Sequence, residues 1–449
     1  MERVAPKIIF LRELLSMPLT IPPYQRPYRW TTDSALTLLK DLYNAYITNV
    51  PEYRIGTVVL HPEEKVWEEG DEPKLKYNIV DGQQRVTTLS ILMHCFYIKD
   101  KGLERYKNLS KLLDEKKVFK DLSHKAICDN FETLSEKLSE ISEEKLENFL
   151  DFILDRCSIV KIETNKEQEA FQFFDSQNSR GKELAPHDLL KSYHLREMNE
   201  EKESLKVSII NAWESTDQKN LAKFFYNSLF PLVSWYKGNN GLYYSSKKIK
   251  IFKGLNQSNN YHFSVYHKAA NLYIEHFNDE GMYELTSEKK LSQFQLTQPI
   301  IAGKRFFLYV LYYYSLKIEI EKRYLTNTSL AIPEYGSGNL YIKNLFLNAL
   351  LFFIDKFGYG ALTDFRLKKI YKWCYSLRLV MHSVYPETIN KYALGKHERL
   401  NLGKNLFTII SDIQSPDEFD SIIFQKIDKN QIKYTDKVLE TMSNIVGIQ

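Results

Sequence analysis

Leu75, Tyr77 and Ile79 alternate with polar residues up to Val80, the two-residue period of a half-buried strand. Beyond Asp81-Gly82-Gln83-Gln84-Arg85 the period changes, and Val86, Leu89, Met93 and Phe96 recur at helical spacing. The pattern predicts a strand, a tight turn at Gly82 and a helix. Segments 53–60 and 158–162, rich in β-branched and aromatic residues, predict two more strands. Segment 131–155 is charged and helical with a break at Ser142-Glu143-Glu144, and Pro186 is placed to open a further helix. Beyond about Glu201 strand signals fade, and helical patterns alternate with loops such as Gly238-Asn239-Asn240-Gly241. The chain therefore reads as α+β, with an N-terminal domain over residues 1–200 and a mostly α-helical C-terminal domain over residues 201–449.

Composition narrows the class. A chain of 449 residues that is 43% hydrophobic can bury one large core or two. A formal net charge of +4 is small for that length, so any contact with DNA has to be a local patch. Cys95, Cys128, Cys157 and Cys374 form no Cys-x-x-Cys pair, which suggests buried thiols in a reducing compartment and argues against a zinc site. The longest apolar runs, 306–314 and 345–354, are too short to cross a bilayer and read as buried helices. The N-terminus lacks the apolar core of a signal peptide, and the expectation is a cytoplasmic protein without a membrane partner.

The strand-to-helix turn carries the strongest candidate chemistry. Glycine there lets a ligand approach the backbone, and the N–H groups of a helix N-terminus favour an anion. Arg85 adds a planar fork of donors, while Asp81, Gln83 and Gln84 can hold a metal, a water or a base. The competing reading has Asp81 capping the helix, Gly82 serving the turn and Arg85 in a structural ion pair. Two further clusters stand out. Ile21-Pro22-Pro23-Tyr24-Gln25-Arg26-Pro27-Tyr28-Arg29-Trp30 is an extended, proline-punctuated segment. It reads either as an arm packed by its rings or as a strip that stacks on a base and contacts phosphate through Arg26 or Arg29. Phe171-Gln172-Phe173-Phe174-Asp175-Ser176-Gln177-Asn178-Ser179-Arg180-Gly181-Lys182 predicts a helix ending in a polar turn where Asn178, Arg180 and Lys182 could grip an anion. It is no Walker A loop, because no Gly-Lys in the chain is followed by Ser or Thr.

In this order the three clusters resemble the GmrSD-type restriction endonuclease N-terminal domain. Gln25 to Trp30 matches its Gln-Arg-Pro-Tyr-x-Trp, Asp81 to Leu89 its Asp-Gly-Gln-Gln-Arg-x-Thr-Thr-Leu, and Phe174, Asn178, Arg180, Gly181, Leu184, Asp188 and Leu189 its third motif. The resemblance covers roughly residues 10–200, and Gln298-Pro299-Ile300-Ile301-Ala302-Gly303-Lys304-Arg305-Phe306-Phe307 looks like the helical region that often follows. It implies a ParB/sulfiredoxin-like fold and binding and hydrolysis of an NTP with Mg²⁺, coupled to restriction of foreign, often modified, DNA in bacterial anti-phage defence. On that reading Asp81 positions Mg²⁺ or a water, Gln84 orients the attacking water and Arg85 stabilises the transferred phosphoryl group. Gly82, Gln83, Gln25, Arg26, Asn178, Arg180 and Lys182 then complete the nucleotide site. The alternatives are a non-enzymatic DNA-binding adaptor that uses a nucleotide as a switch, or a nuclease acting through the N-terminal domain.

Relatives often add a C-terminal His-Me finger nuclease, built on a compact ββα hairpin. Here His382, Asn390 and His397 form only a superficial counterpart, since the sequence around them is helical and loop-like. His262, His267, His187 and His194 lack acidic or cysteine partners at ligand spacing and read as surface or satisfied core histidines. In 365–380, Ile370, Trp373, Leu377 and Val380 form an apolar stripe opposite Lys368, Lys369 and Lys372, a face either solvated or able to meet phosphates. Cutting of DNA is therefore expected from a separate partner protein.

Overall fold

Five strands form in the first part of the chain: β1 (Lys7–Phe10), β2 (Leu19–Thr20), β3 (Tyr53–Lys65), β4 (Lys74–Asp81) and β5 (Cys157–Glu163). They make one mixed sheet in the order β1-β5-β3-β4-β2, with β5 parallel and β4 antiparallel to the central β3. The computed structural model describes residues 6–22, 25, 27–65, 74–99, 109, 111–114, 121–164, 185–198, 201–256, 258–280, 291–325, 330, 332–333, 336–427, 429–433 and 440.

Helices α1 (Leu11–Ser16), α2 (Thr32–Ile47), α3 (Gln83–Lys99), α4 (Asp121–Ser139) and α5 (Glu143–Arg156) accompany this sheet. Their apolar faces build the main core with Val58, Leu60, Ile79 and Ile159. The break expected at Ser142 is the junction between α4 and α5, where Ser142 takes the extended backbone of an N-cap residue. Sequence alternation predicts a half-buried β4, yet Ile79 and Val80 are both buried. Val80, with Val59 and Ile162, forms a second small cluster that covers the opposite sheet face from the main core. Uninterrupted runs such as Val58-Val59-Leu60 are the sequence trace of that double burial.

The chain divides into two compact units, Met1–Glu183 with Lys202–Glu214, and Leu184–Glu201 with Ser215–Gln449. Helix α6 (Pro186–Arg196), with proline in its first turn as expected, therefore groups with the second unit, while most of α7 (Glu203–Ser215) groups with the first. The second unit is helical around α8 (His262–Glu280), α9 (Lys304–Leu325), α10 (Ser337–Phe357), α11 (Asp364–Val380) and α12 (Pro386–Ala393). Together these elements give the α+β class. Segments 306–314 and 345–354 lie inside α9 and α10, and no helix among the described residues is long and apolar enough to cross a membrane.

Two expectations are corrected here. Cys95, Cys157 and Cys374 are buried but Cys128 is exposed, because it lies on the outer side of α4, where only the inward positions meet the core. Lys369 does not share a solvated face with Lys368 and Lys372. It is 3% exposed, donates to the Asp420 carbonyl at 2.6 Å and is ringed by Phe365, Phe419 and Phe424. Helix α11 is enclosed nearly all round, so its apolar stripe alone misplaced the lysine.

Candidate functional site

Gly82 turns the chain from β4 into α3 with φ +89°, a backbone conformation that L side chains rarely adopt. A Cβ added there would meet the Thr57 carbonyl oxygen at 3.1 Å, so both the turn and the close packing on β3 require glycine. Within α3 the first amide to find a helical acceptor is Val86, which donates to the Gly82 carbonyl at 3.0 Å. The amides of Gln84 and Arg85 ahead of it have no acceptor inside the helix, which leaves a positive helix end beside the carboxyl end of β4.

Arg85 occupies a shaped slot. Its Nη1 donates to the Thr57 carbonyl at 3.1 Å, and the guanidinium lies where a Gly56 side chain would be, 2.9 Å from an added Cβ. Gly56 itself has φ +138° and sits at a register shift between β3 and β5. Burial lowers the Arg85 pKa, with the Asp81 charge acting against that shift. A glycine inside a strand-like run is the one sequence signal that could have found Gly56.

The first two clusters meet at this turn. Gln25 Nε2 donates to the Val80 carbonyl at 2.9 Å, one residue before Asp81. Gln84 is 7% exposed, and both ends of its amide are used: Nε2 donates to Pro27 O at 3.2 Å and Oε1 accepts from Arg29 N at 2.8 Å. Tyr28 is fully buried, its hydroxyl bonded to Thr88 Oγ1 at 2.7 Å and to Asn130 Nδ2 at 2.8 Å, while its amide donates to Ser123 Oγ at 3.0 Å. The arm is thus stapled onto α3 and α4 by polar bonds as well as by rings. Arg29, which with Arg26 is one of the two residues open to a phosphate contact by sequence, pairs with the buried Glu214 carboxylate at 2.9 Å, as the packed-arm reading has it. Nothing in the sequence marked Ser123 or Asn130 as parts of this network.

Residues 11–195 match the GmrSD restriction endonuclease, N-terminal domain, and residues 205–438 match a family of unknown function, DUF7834. The chain belongs to the DUF7834 family and carries a GmrSD-type N-terminal domain. That domain suggests a role in a restriction system. No curated protein matches the chain.

In the GmrSD-type domain residues that carry the resemblance turn out to be structural partners of one another: Tyr28 of the first motif bonds Thr88 of the second, Gln84 of the second bonds the Pro27 and Arg29 backbone of the first, and Gln25 bonds Val80 just ahead of the second. Arg26, Asn178, Arg180 and Lys182 lie outside the described residues, as does the rest of the third motif up to Leu184. Asp188 and Leu189 fall on α6, in the second unit. Because Gln84 holds the arm, Gln84→Ala is expected to lower unfolding free energy by about 1–3 kcal/mol, the cost of stranding the Pro27 and Arg29 backbone groups. A urea midpoint equal to the parent's would remove that positioning role.

The C-terminal histidines sit in a different setting. Residues 364–427 are all described and contain helices and turns but no strand, so the ββα hairpin of a His-Me finger is absent from them. Asn390 Oδ1 accepts from Trp235 Nε1 and from the Gly241 amide, both at 2.9 Å, which makes it a core anchor. His397 is buried and its pKa is lowered by that burial. His194 is the satisfied core histidine that its surroundings predicted. Its Nε2 bonds Phe252 O at 3.0 Å, its Nδ1 accepts from Gly303 N at 3.1 Å, and its ring stacks on Phe306. No group of three metal-ligating side chains occurs among the described residues.

Proposed function

We propose that the chain is the NTP-binding and NTP-hydrolysing component of a restriction system that acts on foreign or modified DNA, with the cut made by a separate nuclease. The observation that carries this reading is the seating of Arg85 in the Gly56 slot, beside Asp81 and at the open N-terminus of α3. Three features of an anion site coincide there: unpaired helix amides, a glycine that admits close approach, and a guanidinium held by its own carbonyl acceptor. Asp81 is the residue that would hold Mg²⁺. A single carboxylate fits that ion, which commonly takes one or two carboxylates and completes its shell with phosphate oxygens and water. Mg²⁺ supplies charge neutralisation at the phosphates. The protein's own part is to receive the phosphates at Gly82 and the α3 amides and to place Arg85 against the charge that develops on the transferred group. Gln25 and Gln84 position the arm alongside.

The second reading, a nucleotide switch without turnover, is favoured by one observation. Gln84, the residue expected to orient water, spends its amide on Pro27 and Arg29. Phosphate release by the purified chain with each of the four NTPs, with and without DNA, separates the two readings. Turnover supports the NTPase, binding without release supports the switch, and neither binding nor release rejects both. DNA cleavage by the chain alone is expected to be small beside its turnover and unaffected by His382→Ala or His397→Ala. Robust cleavage lost in the His382 variant would restore the C-terminal set.

A further inference from the structure

The second unit contains a cavity of about 460 Å³ between α8, the start of α9 and the irregular segment 291–301. That volume lies in the range of small-molecule sites, about 300–1,000 Å³. Segment 291–301 has no helix or strand of its own beyond one isolated bridge, yet it is anchored at several points. Asn278 exchanges two hydrogen bonds with the Leu291 backbone, at 2.8 and 3.0 Å. The buried Asp355 carboxylate accepts from Leu296 N at 2.8 Å, His267 bonds the Pro299 backbone, and Leu255 brackets Ile300 and Ala302. An irregular segment fixed by that many polar contacts is a pre-organised one, the usual setting for a binding loop.

The lining combines rings with uncommitted amides. Phe263, Tyr266, Phe294 and Tyr309 supply aromatic surface, and Tyr266 at the rim is 80% exposed. Arg305 is held from behind by Glu275 at 2.5 Å and Asn271 at 3.3 Å, and Glu275 is shared with Lys304 at 2.9 Å. Gln293, Gln295 and Gln298 line the same cavity, and their side-chain amides make no hydrogen bond among the described residues. A planar amide offers a donor and an acceptor side by side, the complement of a nucleobase edge, and aromatic rings supply the stacking face.

We propose that this cavity binds a nucleobase, stacked on Tyr266 and Phe294 and read along its edge by Gln293, Gln295 and Gln298. The site belongs to the DUF7834 region and to the second unit, whereas the β4–α3 turn belongs to the first. The base comes either from a free nucleoside or from single-stranded DNA, which presents unpaired bases to aromatic platforms. The test is a fluorescence anisotropy titration of the full chain with a labelled single-stranded oligodeoxynucleotide, with adenosine, cytidine and methyl glucoside as competitors. Tyr266→Ala, at an exposed position that leaves the fold intact, is expected to weaken binding about tenfold, the size of one lost stacking contact. Gln293→Ala combined with Gln298→Ala is expected to erase any preference among bases. Competition by nucleosides assigns the site to free bases, and oligonucleotide binding that resists them but falls in Tyr266→Ala assigns it to a strand. Failure of the parent to bind either probe, equal binding by Tyr266→Ala, loss of binding in Arg85→Ala, or displacement by methyl glucoside alone would each overturn the proposal.

Discussion

Arg85→Ala is expected to reduce NTP turnover by ~10²–10³-fold, the usual loss when one pre-organised electrostatic stabiliser is removed from a phosphoryl-transfer site. The fold should survive, because Arg85 is half-buried and its side chain makes a single hydrogen bond among the described residues, to Thr57 O. Arg85→Lys should not rescue turnover, since a flexible ammonium cannot reproduce a planar guanidinium laid against Gly56. Gly56→Ala provides an independent check. It leaves Arg85 in the sequence but puts a Cβ 2.9 Å from its Nη1, at a φ of +138° that strains any L residue. The same loss of turnover should appear, together with about 1–3 kcal/mol of lost stability. Asp81→Asn should likewise lose turnover. If Arg85→Ala and Asp81→Asn both stay folded and release phosphate at the parent's rate, the catalytic assignment is wrong.

Asp355→Asn is expected to reverse rank with the parent as pH rises. Burial pushes the Asp355 carboxyl up to about 7 against the hydrogen bonds from Tyr313 and Leu296, so the folded state holds its proton far more tightly than the unfolded chain does. The contribution to stability is complete below an unfolded value of 3.8 and is lost as pH rises toward about 7, a span on the order of 4 kcal/mol. Asparagine imitates the protonated acid, its oxygen accepting from Leu296 N and its amide donating to the Tyr313 hydroxyl, and it does not titrate. The difference in urea midpoint between parent and Asp355→Asn should therefore move in the variant's favour between pH 5 and pH 8. Asp355→Ala strands both partners and should be destabilised at every pH, by about 2–5 kcal/mol. A midpoint difference that does not change with pH would show that Asp355 does not titrate in this window.

Much of the N-terminal architecture was legible because its signals are local. Period-two and period-3.6 patterning located β4 and α3, the turn chemistry at Gly82 located the joint, and Pro186 marked the start of α6. Motif order alone identified the GmrSD-type domain. Roles were legible only in part. Gln84 and Arg29 are polar residues next to a plausible phosphate site, and their residue types fit ligand contacts. The structure gives them partners distant in sequence, Pro27 for Gln84 and Glu214 for Arg29, and those partners could not be read from spacing.

The helical half shows the same division. Periodicity found α9, α10 and α11, yet it placed Lys369 on a solvated face because a one-sided stripe is the common solution for a helix at a surface. Phe419 and Phe424, packed over Lys369 beside Phe365 of the same helix, decided otherwise. The sequence by itself determined the α+β class, the family of the N-terminal domain and the glycine-dependent turn, all of which depend on neighbours along the chain. Only the tertiary structure decided the arm network, the Gly56 slot and the cavity of the second unit. Each joins residues many positions apart, and which polar group finds which partner is set by the packing of whole elements rather than by any pattern within one of them.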